Sequence, residues 1–401
     1  MRIVFACLSA ALLLPVPAFS QQGQQRGGSR PGIYGQCPGA SLSAAPTVDP
    51  AYSRLAEATG GQVFNLRGAD LDKMAAVMEA RLIGNKAEIV LAHGVLRDPA
   101  PREWQIPVDS SSKSVTFSVT VELKCSAAVL RPSGSPVSRQ EPNVQITELA
   151  SGHIVRVRQA EPGIWRVRVS GFGKFSVDAA ADSDLRLDSF QFVRLGGRPG
   201  HEGLFPIAGQ PLAGSSHLVR ANLNGSYRSA AFRLLSEFGE AIQEVNLTRA
   251  PGADEYNGPL DLPTTAFRFA VVGYDESGIH YQRVYPQLFR AQTVEVTAVG
   301  TPEEAPAGST TEFFFEVRNL GPRGSFHVVA ADSHGLSIRA EPGLVTLDTG
   351  ASAGVRVRLV VLAGTPDGTG ITVTAAATSA ADANLSNGVS VSLTARQGLR
   401  P

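Results

Sequence analysis

The chain has 401 residues, of which 43% are hydrophobic, and its 36 basic and 36 acidic residues give a formal net charge of zero. Balanced charge excludes a dedicated nucleic-acid binder or acidic-membrane binder, because such proteins carry a basic excess. The length allows about two to four domains, and 41 Gly and 26 Pro with only 3 Met predict many turns and few helices.

The first 20 residues are typical of a secretory signal peptide. Arg2 supplies a minimal positive charge, residues 3–16 form an apolar stretch too short for a bilayer, and Ala18 and Ser20 are the small residues that signal peptidase requires. We therefore expect cleavage after about Ser20 and a secreted or periplasmic protein. No other apolar run approaches the ~20 residues of a membrane helix, so we predict no membrane span.

The next two segments differ in composition. Residues 21–50 are rich in Gln, Gly, Ser and Pro, which predicts a disordered arm. Residues 51–84 are the only clearly helical part, with Asp70 as the predicted N-cap of an amphipathic helix. A lone helix cannot bury its apolar stripe, so we expect the stripe to pack against the first β domain or to mediate self-association. The stripe consists of Leu71, Met74, Ala75, Met78 and Leu82.

From about residue 85 onward the hydrophobic period changes to two. Apolar and polar residues alternate over 115–124, 154–158 and 165–169, which predicts half-buried antiparallel strands. Short strands separated by Gly- and Pro-containing turns are typical of β-sandwiches. We predict a mainly β protein with a small N-terminal α/β segment over 51–84 and tandem immunoglobulin-like β-sandwich domains over 85–195, 196–292 and 293–397.

Several segments occur in an order that resembles a known family: Tyr52–Leu82, Trp104–Asp109 (WQIPVD), Glu161–Trp165 (EPGIW), and Gly273–Asp275 (GYD) followed by Tyr281–Val284 (YQRV). The first resembles the last strand and helix of a von Willebrand factor A domain. The others resemble segments of the β domains that follow such a domain in hemicentins. The rest of the A domain, which would carry its metal-dependent adhesion site, is missing.

The resemblance to hemicentins implies an extracellular adhesive or scaffolding protein without catalytic activity. The third unit, with Val317–Gly321, resembles a bacterial immunoglobulin-like repeat. The minimal signal peptide and the Ala-, Arg- and Gly-rich composition are also similar to those of bacterial proteins.

Two short motifs suggest chemistry, and we interpret both as turns. Residues 109–113 (DSSSK) come nearest to the D-x-S-x-S pattern of a metal-dependent adhesion site, but Lys113 would repel the cation. Residues 332–334 (DSH) place an acid, a hydroxyl and an imidazole side by side, whereas a catalytic triad needs three groups that converge in space. With no hydrolase or nucleotide-binding motif in the sequence, we predict that the protein is not an enzyme.

Three carboxylates could form a metal site. Asp182, Asp184 and Asp188 could together bind Ca²⁺, an ion that prefers oxygen ligands. The alternative is a solvated strand edge whose charges prevent edge-to-edge pairing. We favour the alternative, and we predict no cofactor and no metal.

Two cysteines and two tryptophans remain to be interpreted. Cys37 and Cys125 can pair in an oxidising compartment, but Cys125 also continues the apolar face of its strand and can be a buried thiol, so the sequence leaves both states open. Trp165 has apolar neighbours and is predicted to lie in the core. Trp104 lies among polar residues; we favour core packing for it too, with a role as a ligand-facing aromatic as the alternative.

Together these features predict a non-catalytic secreted or periplasmic interaction or scaffold protein. It would act through its β-sandwich surfaces on an unknown protein or envelope partner. The alternative is a carbohydrate-binding accessory module of the cell envelope, in which Trp104 or exposed Tyr residues contact sugar. A pair of coplanar exposed rings would favour the sugar, and a long unpaired strand edge would favour the protein partner.

Overall fold

The computed structural model describes residues 56, 68–73, 75, 77–78, 85–98, 100–198, 200–207, 209–251 and 254–397. Strands make up 63% of the structure and helix 2%, which confirms the predicted mainly β fold. The chain divides into two compact units, and the predicted domain boundaries stay predictions. The first unit contains residues 1–190, 220–258 and 266–289, and the second contains residues 191–219, 259–265 and 290–401.

The first unit begins with a six-stranded antiparallel sheet. Its strands are β1 (Lys86–Leu96), β2 (Arg102–Val108), β3 (Ser114–Leu130), β4 (Val144–Leu149), β5 (Gly152–Arg158) and β6 (Gly163–Asp182). The order is β1-β6-β3-β5-β4, and β2 also pairs with β6. Strand β2 pairs with the first half of β6 and β1 with its second half, so this one long strand organises the whole sheet.

The six-stranded sheet bends so that it encloses its own core. Phe117 of β3 pairs with Ala179 of β6, yet its ring stacks on Trp165, with the centroids 5.4 Å apart. Trp165 precedes Ala179 by roughly 45 Å along an extended strand, so their common contact with Phe117 requires a bend. Register shifts in β3 and the positive φ of Gly173 lie at this bend. Trp165 is fully buried, which confirms its predicted core position.

Both faces of β3 are buried, although the alternating sequence predicts one solvated face. The inward positions Val115 and Phe117 are buried as expected. The alternate positions Thr116 and Ser118 are also only 3% and 2% exposed, and their hydroxyls have no hydrogen-bond partner within the described part of the chain. Small hydroxyl side chains are tolerated on either side of a sheet, so their pattern did not reveal that this face is covered.

In the N-terminal segment residues 75, 77 and 78 are α-helical, but the segment begins with a 3-10 helix and Asp70 is not the predicted N-cap. Residues Gly68–Lys73 form a 3-10 helix, so Asp70 does not cap a helix that begins at the next residue. Its buried carboxylate instead accepts a hydrogen bond of 2.9 Å from the backbone N–H of Ala150, between β4 and β5. In the predicted stripe Met78 is 46% exposed, while Val77 is buried in its place. The side chains of three stripe residues lie outside the described residues: Leu71, Met74 and Leu82.

The following part of the chain forms two further sheets. Its strands are β7 (Arg186–Gly196), β8 (Gly203–Pro206), β9 (Ser216–Asn224), β10 (Tyr227–Leu235), β11 (Ala241–Val245), β12 (Thr248–Arg249), β13 (Glu255–Asp261), β14 (Arg268–Asp275) and β15 (His280–Val284). One sheet has the order β11-β10-β14-β15 and the other β12-β13-β9-β7-β8. In the first unit, the ring of Phe269 stacks on Phe190 at 4.0 Å and on Phe232 at 5.5 Å, which forms the aromatic centre of this core.

The second unit contains a complete β-sandwich. Its strands are β16 (Val294–Ala298), β17 (Glu304–Pro306), β18 (Thr310–Asn319), β19 (Gly324–Asp332), β20 (Ser337–Glu341), β21 (Leu344–Leu347), β22 (Ser352–Val360), β23 (Gly370–Ser379) and β24 (Ser386–Arg396). The two sheets have the orders β16-β18-β22-β20 and β17-β24-β23-β19-β21. Strand β17 pairs with β24 in parallel, and the other registers described for this unit are antiparallel.

Among the described residues, no helix is long and apolar enough to cross a membrane.

Strand β5 approaches β3 so closely at Gly152 that the position tests the fold directly. A Cβ at this glycine would lie 1.8 Å from the carbonyl oxygen of Val119, a backbone atom that cannot move aside. We expect Gly152→Ala to lower the free energy of unfolding by about 3 kcal/mol. Gly370→Ala is the matched control, because a Cβ there meets no atom within 4 Å. Urea unfolding measures both, and an unchanged midpoint for Gly152→Ala would contradict this strand register.

Candidate functional site

The most buried acidic and basic side chains among the described residues of the first unit belong to a cluster of Asp109, Ser110, Ser111, Ser183, Asp275 and Arg283, which we call the Asp109–Arg283 cluster. Asp109 follows β2, and Arg283 lies in β15. Their side chains form an ion pair of 2.5 Å and are 0% and 1% exposed. Burial of one charge alone would cost several kcal/mol, so each of these charges requires the other.

The remaining guanidinium nitrogens of Arg283 are also satisfied. Its Nε donates to the carbonyl oxygen of Leu185 at 2.6 Å, and its Nη1 donates to that of Gln282 at 2.8 Å. Its Nη2 donates to Ser183 Oγ at 3.0 Å in addition to Asp109. Because the planar guanidinium presents donors in fixed directions, this set of acceptors holds β15 in one position against the end of β6.

A turn rich in serine encloses the carboxylate of Asp109. The backbone N–H of Ser111 donates to Oδ1 at 3.0 Å, and the Ser111 hydroxyl donates to the same oxygen. Ser112 Oγ donates to Oδ2 at 3.3 Å. Residues 109–113 therefore form a turn before β3. The carboxylate of Asp109, which an adhesion site would use to bind a metal ion, is paired with Arg283.

Asp275 connects the same turn to the loop between β14 and β15. Its Oδ2 accepts hydrogen bonds from the backbone N–H and the hydroxyl of Ser110 at 2.8 and 2.6 Å, and its Oδ1 accepts one from the backbone N–H of Ile279 at 2.8 Å. Burial of the carboxyl opposes its ionisation, but the hydrogen bonds from Ser110, Ile279 and Ser277 outweigh burial and hold the pKa of Asp275 below its usual value.

Three of the motifs that carry the hemicentin resemblance meet in this cluster. Residues 104–109 supply Asp109, residues 273–275 supply Asp275, and residues 281–284 supply Arg283. Asp275 and Arg283 lie within these motifs, but their local pattern did not predict that they would bind Asp109 and its turn. One signal was present, because Arg283 shares strand parity with Tyr281, and both prove to be buried in β15.

Trp104 is held by protein contacts on its N–H and on its ring. Its Nε1 donates to the carbonyl oxygen of Phe238 at 2.8 Å, and its ring lies 5.3 Å from that of Phe175, centroid to centroid. The side chain is half-buried against the core of the six-stranded sheet. These contacts favour core packing, and the role of Trp104 as a ligand-facing aromatic stays a prediction.

The three candidate calcium ligands are directed to different partners. The carboxylate of Asp184 contacts Lys113 Nζ at 3.1 Å and Asn85 Nδ2 at 2.9 Å, and that of Asp188 forms a bidentate pair with Arg186 at 2.8 and 3.2 Å. Hydrogen bonds from Lys113 and from Arg186 are the main cause that holds the pKa of each carboxyl below its usual value. The backbone carbonyl oxygen of Asp182 accepts a hydrogen bond of 2.8 Å from the backbone N–H of Lys113. In the described part of the chain, no three His, Cys, Asp or Glu side chains lie where they could hold a metal ion.

The Asp332–His334 motif and the two cysteines are the remaining candidates. Asp332 accepts hydrogen bonds from the backbone N–H groups of His334 and Leu336, at 2.7 and 3.1 Å, so residues 332–336 form a capped turn and the acid does not orient the imidazole. Cys37 lies outside the described residues, as does the side chain of Cys125 in β3, so the disulfide between them stays a prediction.

The buried ion pair predicts a large effect on stability. Asp109→Ala should lower the free energy of unfolding by about 3–5 kcal/mol, because it leaves the charge of Arg283 buried without a counter-charge. Tryptophan fluorescence during urea unfolding reports this change, since both tryptophans lie in the first unit. Asp254→Ala is the matched control: it breaks an exposed pair with Arg249 of 2.7 Å, and we expect no measurable change. Equal effects of the two substitutions would contradict the central role of the cluster.

Asp275 predicts a loss of stability in acid. Its pKa is lower in the folded state, so its ionised form stabilises the fold fully above the unfolded value of about 3.9 and less as the pH falls through the lower folded value. The difference in unfolding free energy between wild type and Asp275→Asn should thus be constant from pH 7 to about pH 5 and shrink below about pH 4. Glu276→Gln, at an exposed neighbour, should show no such difference. A difference that stays constant down to about pH 2.5 would refute this assignment.

Comparison with known proteins places these features in a family context. Residues 89–184 match the family model described as hemicentin galactose-binding domain-like, and residues 294–395 match the model described as VWA7 Ig-like domain. Hemicentin-1 of Homo sapiens is 24% identical over 271 residues, which cover 64% of this chain and 4% of that protein. Hemicentin-2 of Mus musculus is 22% identical over 256 residues, which cover 59% and 5%.

The chain thus spans about a twentieth of the length of these relatives. Among solved structures, the alpha-2-macroglobulin of Escherichia coli activated by porcine elastase matches with a TM-score of 0.25 and 9% identity, over 77% of this chain and 44% of that one, which is too low to support any functional argument. The von Willebrand A tail and the bacterial character stay predictions. In its β-sandwich region the chain is hemicentin-like, with a galactose-binding-like domain over 89–184 and an Ig-like domain over 294–395.

Proposed function

We propose that the protein is a non-catalytic, exported interaction or scaffold protein that acts through its β-sandwich surfaces. In this proposal it is hemicentin-like but lacks a metal-dependent adhesion site. The Asp109–Arg283 cluster is the observation that carries the proposal. The most deeply buried acidic and basic side chains of the first unit bind each other there, so they hold the galactose-binding-like domain and β15 together and are not available to a substrate.

A scaffold benefits from such an arrangement, because surfaces held in fixed positions lose less conformational entropy when a partner binds. The signal peptide predicted over residues 1–20 supports export to the outside of the cell or to the periplasm. The sandwich surfaces outside the cluster would then make the contacts with a protein or envelope partner.

A second candidate is carbohydrate binding, and one observation favours it. The family model that matches residues 89–184 is described as galactose-binding domain-like. Against it stands Trp104, whose N–H and ring are already engaged by Phe238 and Phe175. We place carbohydrate binding second for this reason.

One capture experiment separates the two candidates. The purified full chain is immobilised and exposed to the envelope fraction of its source organism, after the fraction has been treated with either protease or periodate, which oxidises sugars. A protein partner should be lost after protease and retained after periodate, and a carbohydrate ligand should behave in the opposite way. Heat-unfolded chain on the same support is the control for non-specific adhesion. Capture that survives protease but not periodate would overturn the first proposal in favour of the second.

A further inference from the structure

The outer face of the sheet β16-β18-β22-β20, in the second unit, contains a depression of about 720 Å³. Strands β18 and β22 form its floor, and the segments after β16 and β20 form its sides. We call it the Phe314 depression. The side chains and the glycine that define it are Val299, Phe314, Glu316, Glu341, Gly354 and Arg356.

The depression exists because a glycine occupies an outward position of β22. Gly354 pairs with Glu316 across the two strands, and a Cβ at Gly354 would meet no atom within 4 Å. The space beside the Glu316 side chain is therefore left open. Val299 borders it, because its backbone N–H bonds to the carbonyl oxygen of Phe314 at 2.7 Å.

An exposed aromatic ring stands in this open space. Outward positions of β18 otherwise hold Thr, Glu and Arg, yet Phe314 is 45% exposed and Val299 beside it is 53% exposed. The guanidinium of Arg356, which pairs with Phe314 across the two strands, lies 5.9 Å from the ring centroid, so a cation of the protein already contacts this ring. The exposed part of the Phe314 ring is accessible to a partner.

The carboxylates around the ring of Phe314 differ in whether a cation of the protein pairs with them. The neighbouring carboxylates have cations: Glu312 contacts Arg358 at 2.9 Å, and Glu341 contacts Arg339 at 3.1 Å. Glu316 differs, because its carboxylate accepts a hydrogen bond from the neutral hydroxyl of Ser352, at 3.1 Å. Within the described residues, no Lys, Arg or His nitrogen lies within 4.0 Å of it. The depression thus places beside an aromatic ring a carboxylate that has no cationic nitrogen within 4.0 Å among the described residues.

We propose that the Phe314 depression binds a lysine or arginine side chain of a protein partner. The ammonium or guanidinium group would lie against the ring of Phe314 and pair with Glu316, and its aliphatic stem would pack on Val299. This proposal rests on the proposed scaffold function and adds the chemistry of its partner. A neutral sugar fits less well, because it would leave the charge of Glu316 without a counter-charge.

The test starts from random heptapeptides displayed on phage and selected against the immobilised full chain. Selected peptides should be enriched in Lys or Arg at one position. A synthetic fluorescein-labelled copy then gives dissociation constants by anisotropy, and replacement of its basic residue by norleucine or citrulline should abolish binding.

Variants of the chain locate the binding site. Phe314→Ala should weaken binding of the labelled peptide about tenfold. Phe314→Leu keeps the apolar volume but removes the ring, and it should weaken binding similarly. Glu316→Gln should weaken binding and also reduce its dependence on salt. Phe205→Ala is the matched control, since Phe205 is an equally exposed phenylalanine of the same unit, and it should change nothing.

Each of three results with peptides or glycans would overturn the proposal. They are a selection without enrichment of basic residues, peptide binding that is unaffected by both Phe314→Ala and Glu316→Gln, and a neutral oligosaccharide that binds wild type on a glycan array but not Phe314→Ala. Thermal unfolding of each variant checks that it is folded. If Phe314→Ala still captures a protease-sensitive partner from the envelope fraction as well as wild type does, the scaffold function stands and this site is wrong. If wild type captures no protein at all, the scaffold function itself fails.

Discussion

The ion pair between Asp109 and Arg283 is the interaction on which the first unit depends. Two charges taken out of water lose several kcal/mol of hydration each, and only close pairing with additional hydrogen bonds recovers it. The two residues come from strands far apart in the chain, so the pair can form only when the six-stranded sheet and the sheet of β15 are both in place. Burial of this pair consequently couples the folding of two sheets that could otherwise form separately.

Alternation in the sequence predicted the strands and much of the core. The alternating pattern correctly indicated the burial of Val115, Phe117 and Trp165. Apolar side chains at every second position lie on one face of a strand, and they leave water when that face is covered. A turn over residues 110–114 was also predicted, from its run of serines, and in the structure the turn ends before Ser114, the first residue of β3.

Other features could not be predicted from local pattern. The bend in β6 depends on contacts between Phe117 and Trp165 across the sheet, and local periodicity does not record them. The burial of Thr116 depends on what covers the sheet, which is a tertiary property. Asp is a common N-cap residue of helices, but the buried carboxylate of Asp70 accepts a hydrogen bond from the backbone N–H of Ala150 in the neighbouring sheet. In each case a long-range contact outweighs a local preference.

The two outer faces of the sandwich in the second unit differ in chemistry. One carries crossed ion pairs, such as Arg358 with Glu312. The other pairs hydroxyls across β23 and β24, as in Thr374 with Ser390 at 2.8 Å. Ion pairs respond to salt and to an approaching charge, whereas paired hydroxyls already satisfy each other and respond to neither. The face with paired hydroxyls carries fewer charges than the other, and an ion pair of Arg396 with Glu304 at 2.7 Å lies at its edge.

The parallel pairing of β17 with β24 determines how this sandwich responds to mechanical tension. Tension directed toward the N-terminal side of β17 and the C-terminal side of β24 makes the two strands slide past each other. Their hydrogen bonds, which extend from Glu303–Thr394 to Ala307–Arg396, then resist in shear and must fail together. An antiparallel pair pulled at its open end would instead lose its bonds one at a time. A short parallel strand therefore makes the sandwich harder to extend than its small number of hydrogen bonds suggests.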